Sequence, residues 1–253
     1  MKTAGLSTRW LFVTAIVFLA GVFLHLPVTD FCDRLAREYG FTAYDDAVRL
    51  GAMTLGTGAF LAVWLWPDSH RVPIGIAVTG LLALAVIAHK VIVVNAIESI
   101  HYPQYALIAV LLARSGFGLE PAWLVATLLG AVDEGYQAVA LPRGAPDYFD
   151  WNDVLLNGIG AAFGALIVVI TGFAAVQNGR LPSMARWGGV ALAIAFAFVT
   201  NPPVWSPFLE ATPGGRLFHR MSASESMVVL AIVYGLVVAV EARVRRSTLQ
   251  NHS

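Results

Sequence analysis

The sequence predicts an all-α fold, a polytopic bundle of transmembrane helices. Three observations carry that reading. Hydrophobic residues make up 58% of the chain and charged residues only 13%, where a soluble domain usually carries about 25% charge. The mean hydropathy is +0.71. The apolar residues also collect in long runs along the whole chain, without the alternation of barrel strands. So few charges cannot cover a water-facing surface. In lipid, backbone polar groups are satisfied only in helices or closed barrels, and these runs select helices.

The elements follow in order, each needing about 20 apolar residues to cross. Residues 10–26 follow Lys2 and Arg9 and resemble a signal peptide, but no small-x-small cleavage site comes after them, so they read as an uncleaved first span. Residues 30–46 mix Phe31, Leu35, Tyr39 and Phe41 with charges, so part of this segment reads as an interfacial amphipathic helix. Spans follow at 48–66 and 72–94. The run 103–113 is too short alone. It reaches length if its helix starts at Glu98, with Pro103 in the first turn, where proline is tolerated. Runs at 121–141, 154–176, 186–200 and 226–241 complete the set. The expected total is about eight spans, with seven as the alternative. The Pro-rich segment 201–213 reads as a solvated loop, with a re-entrant lid as the other option. There is no internal repeat.

Net charge is zero, so no basic field points to a nucleic-acid partner. The single cysteine, Cys32, excludes an intramolecular disulfide. Lys2 and Arg9 precede the first span, and Arg243, Arg245 and Arg246 follow the last. With an even number of spans, that bias places both termini in the cytoplasm. Arg34, Arg37 and Arg49 argue against it. In that orientation Glu98 and the segment 141–153 face outside.

Polar residues inside a membrane are expensive, so they carry the functional signal. Glu98 and His101 are three apart and share a helix face, with Tyr105 four further on the same stripe. Asp133, Glu134 and Gln137 end the run 121–141, with Gln137 in reach of both acids. Arg143 then lies in a Pro/Gly turn, ahead of Asp147, Asp150 and Asp153. Asp153 stands where it favours or caps a helix N-terminus. One turn later comes Asn157, in a stripe with Gly160 and Gly164 that permits close helix approach. His219 with Glu225 is a secondary candidate.

Together these side chains suit general acid–base chemistry, with Glu98, His101, Glu134 and Asp153 as the catalytic candidates. Tyr105, Asp133, Gln137, Arg143 and Asn157 are the substrate-binding candidates, Arg143 holding an anionic group. Oxygen ligands with His101 would equally suit a divalent cation. A proton relay in a transporter is a third use. Against each stands a plainer role: a structural ion pair for Glu98 and Arg143, a helix cap for Asp153, helix packing for Gly160 and Gly164, and a hydrogen-bonded neutral Glu134 joining helices.

The motifs from Glu98-Ser-Ile-His101-Tyr-Pro-Gln-Tyr105 through Asp133-Glu134-Gly-Tyr-Gln137 and Leu141-Pro-Arg143 to Asp150-Trp-Asn-Asp153-Val-Leu-Leu-Asn157-Gly-Ile-Gly160 resemble, in order and spacing, the VanZ-like family. That family takes its name from a teicoplanin-resistance protein. The resemblance divides the chain into N-terminal helices over 1–97, a VanZ-like core over 98–176 and C-terminal helices with a basic tail over 177–253, all one integral membrane unit. It implies a bacterial cytoplasmic-membrane protein whose partners are membrane lipids, with an envelope glycolipid or lipid-linked precursor as substrate. Glycopeptide tolerance enters only by family analogy. An enzyme, a transporter and a non-catalytic scaffold or shielding module all remain open readings.

Overall fold

A computed structural model describes residues 6–65, 71–93, 96–140, 149–172, 210–211 and 217–250. Among them are seven α-helices: α1 (Thr8–Tyr39), α2 (Phe41–Leu65), α3 (Arg71–Val91), α4 (His101–Arg114), α5 (Leu119–Ala140), α6 (Trp151–Thr171) and α7 (Ala223–Gln250). A 3-10 turn, Ala96–Ile100, leads into α4, and a two-residue antiparallel pair joins β1 (Glu210–Ala211) to β2 (Leu217–Phe218). The chain is thus a helical membrane protein.

Four described helices are long and apolar enough to cross a membrane: Thr8–Tyr39, Val72–Val91, Trp151–Thr171 and Ala223–Arg246. That is fewer than the eight expected. The reasons differ by segment. α4 has 14 residues, a length of about 21 Å against a hydrocarbon core of about 30 Å. α5 carries Glu120, Asp133 and Glu134 within its length. The expected spans at 48–66 and 186–200 lie partly and wholly outside the described residues.

The interfacial helix expected over 30–46 is also corrected. α1 is one helix of 32 residues with Pro27 inside it, and it ends only where Gly40 takes φ 90°. Arg, Ala, Leu and Glu fill that last stretch, and all are strong helix formers, so a glycine is needed to stop it.

α6 is the centre of the bundle. In its apolar stretch 72% of residues are buried, against 11% in α1. α4, α5, α3 and α7 pack around it. On one side Gly160 and Gly164 allow near backbone contact with α4. A Cβ on Gly160 would lie 2.9 Å from Tyr102 Cα, and one on Gly164 would lie 2.9 Å from Ala106 Cα. The stripe is therefore a packing seam, as small residues favour between membrane helices. Toward the outside, large apolar side chains such as Phe12, Val139 and Ile232 stay exposed. Patches of that kind are rare on a soluble monomer and ordinary on a lipid-facing helix.

The bundle has two distinct ends. At one, the starts of α4, α6 and α7 meet the ends of α3 and α5, with Ser226 Oγ donating to Trp151 O at 3.1 Å. At the other, the Glu120 backbone N–H donates to Glu241 Oε2 at 2.7 Å, and Ser7 N–H donates to Ser115 O at 2.9 Å. The start of α1 and the last turns of α7 therefore share one end of the bundle.

Candidate functional site

The polar cluster forms where α4, α5 and α6 meet, at the end occupied by the N-terminus of α6. Asp150 caps that helix by accepting from Asn152 N–H at 2.9 Å. The cap is thus Asp150, which leaves Asp153 free in the first turn for another partner. Ile100 is already in the right-handed helical region, so the 3-10 turn runs into α4 without a break. The expected helix starting at Glu98 is corrected accordingly, since Glu98 sits in the 3-10 turn and His101 opens the α-helix. With three residues per 3-10 turn, the spacing still stacks Glu98 over His101.

His101 Nε2 lies 3.4 Å from Asp153 Oδ2, with the imidazole almost wholly buried. One turn on, the Tyr105 ring stacks against His101 at 6.3 Å between centroids. Its hydroxyl donates to Asp133 Oδ2 at 3.0 Å. Gln137 Nε2 donates to Glu134 Oε1 at 3.1 Å. His101, Glu134 and Asp153 bring one ligand atom each to within 4.8 Å of one another. Glu98, Asp133 and Asp153 all act electrostatically on His101.

Burial is nearly complete. His101, Asp133, Glu134 and Asn157 are each less than 4% exposed. Asn157 sits against Gly130 of α5, whose Cβ, if it had one, would be 2.7 Å from the amide nitrogen. That places Asn157 in the seam between α5 and α6, a turn below the acids. Among the described residues, buried polar atoms here without a hydrogen-bond partner include His101 Nδ1, Asp133 Oδ1, Asp153 Oδ1 and both amide atoms of Asn157. Such atoms are costly unless something satisfies them.

Eight of the nine candidate residues therefore fall in one region. The ninth, Arg143, lies outside the described residues, as does Asp147. His219 and Glu225 do not join them. Ser222 and Glu225 form a capping box at the start of α7: Ser222 N–H donates to Glu225 Oε2 at 2.7 Å, and Glu225 N–H donates to Ser222 Oγ at 3.3 Å. His219 Nε2 is 3.1 Å from the same Glu225. A shallow depression there is lined by His219, Met221, Ser224, Glu225, Val228 and Val229, none of which belongs to the cluster.

Two groups escaped the sequence reading. Asn152 joins three elements: its Nδ2 donates to Ile92 O and His219 O, both at 3.1 Å, and its Oδ1 accepts from Met221 N–H at 2.9 Å. Glu241, 5% exposed, accepts from Glu120 N–H and pairs with Arg245. A lone acid late in an apolar helix was the available signal for Glu241. Nothing local marked Asn152.

The fold and the cluster define a helical membrane protein with a buried carboxylate–imidazole centre between three helices. Comparison of the chain with protein-family models, curated proteins and solved structures returns no match.

Proposed function

We propose that this chain is a VanZ-like protein of the bacterial cytoplasmic membrane, a membrane-embedded enzyme acting on a lipid-linked or cell-wall-related substrate. The observation that carries the reading is the buried His101–Asp153 pair with Glu134 in the same group. An imidazole paired with one carboxylate, with a second close by, can pass a proton to or from a bound substrate. Glu134 or His101 serves as the base or acid, Asp153 orients the imidazole, and Glu98 adds to the field around it. Tyr105, Asp133, Gln137 and Asn157 position the substrate, and Arg143 holds an anionic group such as phosphate. In this reading about eight spans cross the bilayer, both termini are cytoplasmic and the cluster opens to the outer face. A part in glycopeptide tolerance is inherited from the family analogy alone.

The test is Glu134→Gln in purified protein, with envelope lipids assayed for turnover. A loss of about a hundredfold or more is expected. Unchanged conversion would remove Glu134 from catalysis, and no conversion by the wild type would end the enzymatic reading.

The closure of the cluster supports a second reading, a non-catalytic module that shields or scaffolds envelope machinery. In that case the polar groups are helix glue. A double-mutant cycle on His101 and Asp153 separates the two. Strong coupling in stability, with cellular function intact in the variants, favours the scaffold.

A further inference from the structure

We propose that His101, Glu134 and Asp153 bind one Zn2+ ion between α4, α5 and α6. The site deepens the acid–base reading and rests on it for any chemical role, whereas binding itself can be measured without turnover.

Geometry is the first argument. A charge-assisted hydrogen bond between an imidazolium and a carboxylate closes to about 2.7–2.9 Å. His101 Nε2 and Asp153 Oδ2 stand at 3.4 Å instead. Two ligand atoms held ~2.0–2.1 Å from one tetrahedral ion lie ~3.4 Å apart. Glu134 brings a third donor to within 4.8 Å of the other two, and on an ion its side chain would close by up to ~1.4 Å to tetrahedral spacing. Imidazole with carboxylate oxygens is a donor set that suits Zn2+.

The surrounding groups give a second, independent argument. Asp133 is 1% exposed, and one of its oxygens is held by Tyr105. The other makes no hydrogen bond of good geometry among the described residues, although Gln137 lies near the carboxylate, and the side chain is within electrostatic reach of both His101 and Asp153. Asn157, wholly buried, keeps both amide atoms unpaired one turn below Asp153. An ion with a bound water at this point would give these atoms partners, since a water satisfies two to four buried polar groups. Three protein ligands also leave a fourth position for that water or for substrate.

Charge is the third argument. Four acids, Glu98, Asp133, Glu134 and Asp153, gather around one imidazole. Carboxylates gathered in an apolar bundle are strongly disfavoured, and a divalent cation offsets two of their charges.

The experiment uses untagged, full-length protein in detergent, stripped by a chelator and titrated with Zn2+. Metal content is read by elemental analysis and stability by thermal unfolding. The expected result is about one Zn2+ per chain with a raised melting temperature. Glu134→Gln, close to isosteric, should bind at least tenfold more weakly, and Glu225→Gln should bind as the wild type does. Monodisperse wild type that takes up no stoichiometric Zn2+ overturns the site, and so does undiminished binding by Glu134→Gln. Loss of binding in Glu225→Gln alone would move the ion to His219 and also overturn it. Lipid turnover by stripped protein that binds no Zn2+ rejects the metal but leaves the acid–base reading intact. Zn2+ binding without any turnover does the reverse.

Discussion

Asn152 shows how one amide can fix the position of a site it does not enter. It bonds to the end of α3, to His219 and to the backbone ahead of α7, while its own helix carries Asp153 one residue on. Each such hydrogen bond contributes about 1 kcal/mol, and leaving buried carbonyls unpaired adds to the loss. Asn152→Ala should therefore destabilise the folded protein by ~1–3 kcal/mol. Denaturation in mixed micelles would measure this, and an unchanged midpoint would show that α3 and α7 are held by packing alone. The capping box makes a smaller claim. Ser222→Ala should lower stability by about 1 kcal/mol, with no effect on the cluster, because Ser222 and Glu225 touch none of its residues.

Between elements, the decisive contact is α4 against α6. Gly160 and Gly164 face Tyr102 and Ala106, and a side chain there would press on backbone rather than on a yielding side-chain tip. Backbone cannot move aside without shifting His101, which opens α4 one residue before Tyr102. Gly164→Val is expected to destabilise by ~2–3 kcal/mol through overpacking. It should also weaken whatever the His101–Asp153 pair does, since it widens the seam that sets their separation. Gly235 of α7 has no atom near its missing Cβ, and Gly235→Ala should be neutral within about 0.5 kcal/mol. Since alanine is the better helix former, a loss in Gly235→Ala equal to that in Gly164→Val would show that the α4–α6 approach is not what makes Gly164 special.

Across the whole molecule, the helices sort the polar groups to two ends. The acids with His101 occupy one. The other holds Glu120, Glu241 and Arg245, with Tyr234 donating to Glu120 at 2.6 Å and Arg114 over the Trp10 ring at 5.0 Å. The start of α1 and the last turns of α7 share this second end, which faces the cytoplasm in the proposed orientation. A Cys32→Ser background with Ser7→Cys or Arg246→Cys should label only from the cytoplasmic side, and Ser224→Cys only from outside. Labelling of Ser7→Cys and Arg246→Cys from opposite faces would sink the assigned topology.

What the sequence determined by itself is local. Apolar runs imposed helices and a membrane setting, because their periodicity and length leave few other ways to satisfy the backbone. Spacing of three and four brought together His101 with Tyr105 and Glu134 with Gln137, since neighbours on a helix surface follow from the turn. Tertiary structure decided the rest. His101 pairs with Asp153, Tyr105 reaches Asp133, and Asn157 lies against Gly130. No local spacing contains those pairings, because they depend on how closely α4 and α5 approach α6. The physical reason is the same in each case: side chains within a helix are fixed by its pitch, whereas partners between helices are fixed by which surfaces can touch.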